Sequence, residues 1–270
     1  GRGVPLIASL FNVTRIYNAC CSLGSFRRLL SLSLDYAQKR VAFGKKLIDW
    51  PLHKKTLEIL QNDLTGLMSL SFYVIDLMDK SETFNEGEEK EKIQKKLRLL
   101  TPIAKLYTAK INMQDTSELI ESFGGAGYIE DTGLPRWLRD AQVLTIWEGT
   151  TNVLSLDTLR AIQKDQALES FFEQLKDWLS EFKDKFVEKK VLKKCESELI
   201  NFQTRFHEVS QKNDPAFFQE VSRDLSFSIA RILQGFLLVR ICESNRLEKK
   251  ELALFEQAKN DFLKRSWTHF

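Results

Sequence analysis

The sequence predicts an all-α fold, and three observations support this prediction. Apolar residues recur at helical spacing over most of the 270 residues. The chain has twelve glycines and five prolines, too few for the many turns of an all-β sandwich. With 43% hydrophobic and 29% charged residues it has enough apolar side chains for a large core, and this composition excludes a disordered or collagen-like protein.

The first half of the chain is predicted to form an up-and-down helical bundle. Apolar residues recur at helical spacing over residues 6–39, and the first helix is predicted to start near Asn12 and to end before Gly44. A connector over 45–51 leads to a second helix over 51–80. A polar loop over 81–91 leads to a third helix over 92–123, which Pro102 is expected to kink or delay.

A run of glycines after residue 123 should end the third helix. Beyond it we predict a short helix over 134–140, an irregular stretch through 147–149 and a helix over 150–164. Further amphipathic helices are predicted over 167–188, 191–211, 215–244 and 247–265. No β-strand and no internal repeat is predicted.

The character of the sequence changes near residue 164, which predicts two domains. Residues 1–163 hold most of the glycine-containing turns and would form the bundle, and residues 164–270 would form an additional helical domain. The chain lacks an initiator Met and a signal-peptide pattern, so we expect it to be the C-terminal piece of a longer protein.

Composition also excludes several classes of function. Each long apolar stretch is interrupted by charged residues, so no membrane span is predicted. The net charge of +3 is spread evenly, and the additional domain is nearly neutral, which argues against nucleic-acid binding. The four cysteines are interpreted as buried thiols, and the three histidines have no spacing that indicates a metal site.

Three segments have sequences too specific for a plain helical bundle: residues 11–15, 36–44 and 123–151. Arg40, at a helix C-terminus, would compensate the helix dipole or contact an anion. The glycines at 124, 125 and 127 would end a helix or let a ligand approach the backbone. Position alone leaves both pairs of interpretations open.

Glu148 lies between Trp147 and Gly149, just before a threonine able to cap a helix. Aromatic, water-poor surroundings disfavour the ionised form of a carboxylate and increase its basicity, which suits the removal of a proton from carbon. A surface or helix-capping glutamate is the alternative interpretation.

The order and spacing of four motifs give a more specific hypothesis. They are Tyr-Ala-x-x-Arg-x-x-Phe-Gly-Lys, Phe-Gly-Gly-x-Gly-Tyr, Arg-Asp-Ala and Ile-Trp-Glu-Gly-Thr. Together they resemble the C-terminal helical domain of the acyl-CoA dehydrogenase family, over residues 11–162. The remaining helices and the tract Ser-Leu-Asp-Thr-Leu-Arg at 155–160 resemble the AidB-like branch, whose members carry an extra helical domain.

The resemblance implies a catalytic site. Glu148 would be the base that takes the α-proton of a fatty acyl-CoA thioester while a hydride leaves the β-carbon for flavin N5. Gly149, Asn12 and Arg15 match substrate-contacting positions, although Asn12 replaces the family's usual acid. No metal is implied.

The resemblance also implies FAD as cofactor. Arg40 would pair with its pyrophosphate, beside Ala42, which replaces a frequent Ser or Thr. Another cofactor-binding stretch would approach FAD from a neighbouring subunit, in a homodimer or homotetramer. It comprises Glu121, where many relatives carry Gln, with Phe123, Gly124 and Gly125. The flavin end would be contacted by Trp147, Thr150, Thr151 and Asn152.

The family's N-terminal helical domain and middle β-domain would lie upstream of residue 1. Without them we expect the chain alone to be catalytically weak or silent. A non-catalytic sensor of acyl-CoA with the same fold is the alternative, and DNA binding is disfavoured by the charge. Electron-transferring flavoprotein is implied as electron acceptor, and mitochondrial, peroxisomal and cytoplasmic locations stay open.

Overall fold

The computed structural model describes residues 3–185, 187–244 and 248–269. Helices dominate this part of the chain, so the predicted all-α fold class is confirmed. Those of the first half are α1 Gly3–Lys39, α2 Pro51–Thr83, α3 Glu88–Glu121, α4 Leu134–Leu144 and α5 Thr151–Asp165. Those of the second half are α6 Ala167–Asp184, α7 Lys189–Gln211, α8 Pro215–Cys242 and α9 Lys249–Phe262.

The helices share one continuous hydrophobic core. Helix α3 lies at its centre and contacts α1, α2, α5, α6 and α8, while α9 packs on α2. Buried side chains from both halves belong to this core, among them Phe26, Leu67, Leu99, Phe171, Phe202, Phe236 and Trp267. Packing of α8 and α9 on the first helices therefore buries apolar surface from both predicted domains, and their division near residue 164 stays a prediction.

Helix α1 begins earlier than predicted. It starts at Gly3, so Asn12 lies inside the helix and does not cap its start. The prediction was wrong because apolar residues continue upstream of Asn12, and Pro5 falls in the first turn, where its missing N–H leaves no hydrogen bond unmade. The helix ends at Lys39, before Gly44 as predicted.

The loop between α2 and α3 is shorter than predicted. Helix α2 continues to Thr83 and α3 begins at Glu88. Acidic side chains in the first turn of α3 favour its early start, because the N-terminus of a helix carries partial positive charge. Glu88 also forms an ion pair with Lys92, and the helix continues through Pro102.

A small antiparallel hairpin follows α1, where a connector was predicted. Its strands are β1, Val41–Ala42, and β2, Lys45–Lys46. The turn between them has φ of 52° at Phe43 and 88° at Gly44, as a two-residue hairpin turn requires. Strands of two residues have no detectable period, so the prediction of no strand was wrong here.

Helix α8 is long and apolar enough to cross a membrane by length and composition alone. Its most apolar window has a mean hydropathy of 1.6, and 78% of that window is buried inside the protein. The apolar character of α8 is thus used in packing, as in the central helix of a helical core.

The thiol prediction holds for two of the four cysteines. Cys195 and Cys242 are buried, and burial raises the pKa of each to about 12. Cys20 is exposed and Cys21 is partly exposed, so the prediction of a buried thiol was wrong for Cys20. All four thiols are free.

Candidate functional site

Glu148 lies on a strained turn between α4 and α5. Its φ is 58° and that of Gly149 is 109°, so two successive residues have left-handed backbone conformations. A glutamate in this region is energetically unfavourable and is retained where the surrounding structure imposes it. Glu148 and Trp147 are both partly buried.

The turn is held at both ends by buried polar side chains from other helices. Asn18 of α1 donates from Nδ2 to the carbonyl oxygen of Leu144, at 3.1 Å. Lys105 of α3 donates from Nζ to the carbonyl oxygen of Gly149, at 2.6 Å. A Cβ added at Gly149 would lie 2.9 Å from Cδ2 of Leu154, so Leu154 would have to shift, and the φ of 109° disfavours any residue other than glycine there.

Charged residues of three helices lie next to this turn. Asp157 of α5 accepts from Arg15 and from Arg98, each at 2.7 Å. Burial would raise the pKa of Asp157, but the hydrogen bonds and charges of Arg98 and Arg15 outweigh this effect and hold it below its usual range. Burial together with the charge of Arg15, opposed by Glu148, lowers the pKa of Lys105 to about 8.

The two predicted substrate contacts on α1 lie one helical turn apart near this cluster. The side chain of Arg15 is 14% exposed and is engaged by Asp157. Asn12 is partly buried. The geometry therefore gives Arg15 a protein partner, and its contact with substrate stays a prediction.

A second group of predicted residues lines a cavity of about 880 Å³ at the C-terminal end of α3. It brings together predicted residues from two separate parts of the sequence, namely Arg40, Ala42, Glu121, Phe123, Gly124 and Gly125. A Cβ added at Gly124 or Gly125 would meet no atom within 4 Å, so a ligand has room to approach the backbone there.

The cavity also contains residues that sequence reasoning missed. Trp50 lines it and donates from Nε1 to the carbonyl oxygen of Ala42, at 3.2 Å, which ties the hairpin to the start of α2. His53 lines it as well, with a buried Nε2 that has no hydrogen-bond partner among the described residues, and burial lowers the pKa of His53. Sequence reasoning could have found Trp50 and His53 from their position just after the motif that contains Arg40.

The cavity and the Glu148 turn are separate. Lys105 contacts the turn and Glu121 lines the cavity, and they lie sixteen residues apart on α3, about 24 Å along its axis. Helix α3 thus fixes the distance between the two groups of residues. Within the described ranges, no group of three or more His, Cys, Asp or Glu side chains could hold a metal ion.

The remaining predicted residues lie at the start of α5. Thr150 and Asn152 are exposed, whereas Thr151 is buried. The Oδ1 atom of Asn152 accepts from Arg223 of α8, at 3.4 Å. Exposed Ile146 and Val153 flank this segment, each 52% exposed, so apolar surface surrounds the Glu148 turn.

Comparison with protein families gives a match over more than half of the chain. Residues 1–163 match the family described as acyl-CoA dehydrogenase, C-terminal domain. The chain belongs to the acyl-CoA dehydrogenase family. Residues 166–258 match a second description, acyl-CoA dehydrogenase 11 C-terminal domain-like. The family resemblance stated from the motifs is thereby confirmed.

Two curated relatives are similar to the chain. Acyl-CoA dehydrogenase family member 11 of Caenorhabditis elegans is 43% identical over 246 residues, which cover 88% of this chain and 39% of the relative. The putative acyl-CoA dehydrogenase AidB of Escherichia coli is 35% identical over 164 residues, or 61% of this chain and 29% of AidB. The chain therefore spans well under half of either relative.

Solved structures share the fold. The crystal structure of Caenorhabditis elegans ACDH-11 in complex with C11-CoA superposes with a TM-score of 0.88 and 38% identity, covering 100% of this chain and 45% of that one. An acyl-CoA dehydrogenase from Bacillus anthracis complexed with FAD has a TM-score of 0.72 and 18% identity, covering 98% of this chain and 48% of the other, and shows the common fold alone.

Proposed function

We propose that this chain is the C-terminal part of an FAD-dependent acyl-CoA dehydrogenase that introduces an α,β double bond into a fatty acyl-CoA thioester. The observation that carries the proposal is the position of Glu148, on a strained turn that two buried side chains fix from outside. Strain of this kind is retained at sites where geometry matters for chemistry.

Glu148 is proposed to accept the α-proton of the thioester. Its fixed backbone would hold the carboxylate at one place relative to the substrate, which reduces the entropy cost of proton transfer. The half-buried ring of Trp147 would exclude water from one side of the carboxylate. Leu154 fills the side-chain position of Gly149, so a substrate contact at Gly149 would be made by its backbone.

FAD supplies, when bound, the acceptor for the hydride that leaves the β-carbon. The cavity near Arg40 suits a part of such a ligand, because it combines a guanidinium group, open glycine backbone and aromatic rings. Glu121 also lines it, and a carboxylate beside a phosphate is unfavourable. We therefore assign the Glu121 side to the adenosine portion and Arg40 to the pyrophosphate.

The Glu148 turn and the Arg40 cavity lie about 24 Å apart along α3. This separation supports the proposal that they contact two different cofactors in an assembly of two or four chains. Residues at the start of α5 are proposed to contact the flavin bound near the same chain's Glu148, and the Arg40 cavity to contact the cofactor of a neighbouring subunit. Exposed apolar side chains at the cavity rim, Phe43 at 94% and Leu52 at 80%, would be covered in such an assembly. Electron-transferring flavoprotein is the proposed electron acceptor.

The fatty acyl class of substrate has support from the ACDH-11 relative, which was crystallised with C11-CoA. Apolar surface around the turn, at Ile146 and Val153, suits an acyl chain or the upstream domains that would enclose it. The acyl chain would then be held between this face and those domains.

Substitution Glu148→Gln in the full-length protein tests the assignment. Anaerobic mixing with dodecanoyl-CoA should bleach the flavin absorption of the wild type, and the variant should bleach on the order of a thousandfold more slowly, because an amide cannot accept the proton. The exposed Glu169→Gln is the matched control and should bleach at the wild-type rate. A wild type that binds dodecanoyl-CoA without bleaching would instead support the sensor alternative.

A further inference from the structure

Lys105 is a lysine inside an otherwise apolar stretch of α3. Its relative exposure is 0%, and its neighbours Ile103, Ala104 and Leu106 are core residues. Burying an ammonium group is costly unless hydrogen bonds and opposite charge compensate. An apolar residue of similar size would fill the space without this cost, so packing alone does not explain a lysine here.

The contacts of Lys105 point to the Glu148 turn. Its Nζ donates to the carbonyl oxygen of Gly149 at 2.6 Å, directly after Glu148 in the chain. The charges that act on Lys105 are Arg15 on α1, which disfavours its protonated form, and Glu148 on the turn, which favours it. Arg15 is in turn neutralised by Asp157, at 2.7 Å. Lys105 therefore links the turn to the buried charges of α1 and α5.

A second buried lysine on α3 has a different environment and provides a comparison. Lys96 is 7% exposed, and its Nζ donates to Oε1 of Gln174 on α6, at 2.9 Å. It lies nine residues before Lys105, about 13 Å along the helix. Both lysines are buried on α3, and each donates a hydrogen bond from its Nζ atom. Of the two, only Lys105 contacts the turn that carries Glu148.

We propose that Lys105 is a positioning residue for Glu148: its hydrogen bond to the carbonyl oxygen of Gly149 fixes the left-handed turn that carries the Glu148 carboxylate. This inference rests on the proposed function, in which Glu148 is the base. Lys105 touches neither substrate nor cofactor in this proposal, so its effect passes through Glu148 and Gly149. Arg15 and Asp157 set the charge around it.

Substitutions Lys105→Met, Lys105→Arg and Lys96→Met in the full-length protein test this proposal. Lys105→Met should bleach with dodecanoyl-CoA on the order of a hundredfold more slowly, the loss expected from a misplacement of about 1 Å. Binding of the matching trans-enoyl-CoA should be unchanged, because that ligand gives up no proton to Glu148. Lys105→Arg, which keeps charge and donors, should recover most of the rate, and Lys96→Met should bleach normally.

The dependence of the rate on substrate concentration separates positioning from a purely structural role. In Lys105→Met the bleaching rate at saturating dodecanoyl-CoA should fall, while the concentration that gives half the maximal rate should stay as in the wild type and in Lys96→Met. A Lys105→Met variant with an unchanged rate, in a protein whose wild type bleaches, would overturn the proposal and leave the proposed function intact.

Hydrogen exchange provides a readout that needs no turnover. Amide exchange over residues 146–150 should accelerate about tenfold in Lys105→Met relative to wild type and Lys96→Met, since the turn loses its contact with α3. Unchanged exchange would overturn the positioning role even in an inactive protein. Absence of bleaching in the wild type would contradict the proposed function instead.

Discussion

Asp115 of α3 is a buried carboxyl group with no partner for its Oδ2 atom among the described residues. Burial is the main cause that raises its pKa to about 8, and the nearby charges of Asp63 and Glu118 add to the effect while Arg265 opposes it. The folded protein therefore holds a proton on Asp115 at neutral pH, whereas the unfolded chain releases it.

Asp115→Asn should remove a pH-dependent loss of stability. Because the folded-state pKa is raised, the stability that Asp115 contributes is present below about pH 4 and is lost as pH rises toward 8. The variant should have a flatter profile and, at pH 8, a free energy of unfolding higher by about 2 kcal/mol. Urea unfolding at several pH values measures this. Asp35→Asn on the exposed surface is the control, and an equal slope in wild type and variant would contradict the prediction.

Sequence reasoning predicted a role for Glu148 but not for the residues that contact its turn. Glu148 and Gly149 belong to a continuous motif, so the resemblance identified them directly. Lys105 and Asn18 are far from that motif in sequence and act through backbone carbonyl groups, which leave no trace in the partner's residue type. The available signal was a lysine within an apolar run of α3.

Among the elements, the segment after α9 anchors the second half of the chain. Trp267 is 0% exposed, and its ring packs near Phe236 of α8 and Phe262 of α9. Its Nε1 donates to the carbonyl oxygen of Phe262 at 3.1 Å. Thr268 donates from Oγ1 to the buried Glu198 of α7, at 3.4 Å, so this segment joins three helices.

Trp267→Ala should therefore destabilise the protein strongly. Loss of a fully buried indole costs about 3–5 kcal/mol, through lost apolar contacts and the cavity left behind. Chemical denaturation of the variant should show this loss. Phe72→Ala, at a side chain that is 59% exposed, is the control and should change stability by less than about 0.5 kcal/mol. Equal effects of the two substitutions would contradict this role for the segment.

Helix positions were largely predictable from the period of apolar residues, and the errors have identifiable causes. The predicted ranges for α6 to α9 agree with the structure within a few residues, because these helices are amphipathic and separated by polar breaks. The start of α1 was misplaced because a capping residue type also occurs inside helices. The hairpin over Val41–Lys46 was missed because turn geometry, at Phe43 and Gly44, defines it.

At the scale of the whole molecule, the first and second halves are joined by polar contacts as well as by the common core. Tyr107 donates to Gln234 at 3.2 Å, and Arg265 pairs with Asp63. Arg223 donates to Asn152 at the start of α5. The second half thus contacts the same helices, α3 and α5, that carry the candidate site.

The chain alone should bind FAD poorly. It spans 39% of the Caenorhabditis elegans relative, and a flavin beside Glu148 would lack cover on the face that the upstream domains are proposed to supply. Visible absorption of the purified chain should show far less than one flavin per chain, and no bleaching with dodecanoyl-CoA. The full-length protein is the control. Stoichiometric FAD in the isolated chain would contradict this expectation.

Lys105 donates its hydrogen bond to a main-chain carbonyl group beside Glu148 and not to the Glu148 carboxylate. The residue at 148 is therefore free to change in the course of evolution while the loop keeps its shape. Asn or Gly, which tolerate a φ of 58° better than Glu, would even relieve strain. A single substitution at position 148 would therefore be enough to convert the proposed enzyme into a protein that only binds its ligand, because the contacts that hold the loop would remain.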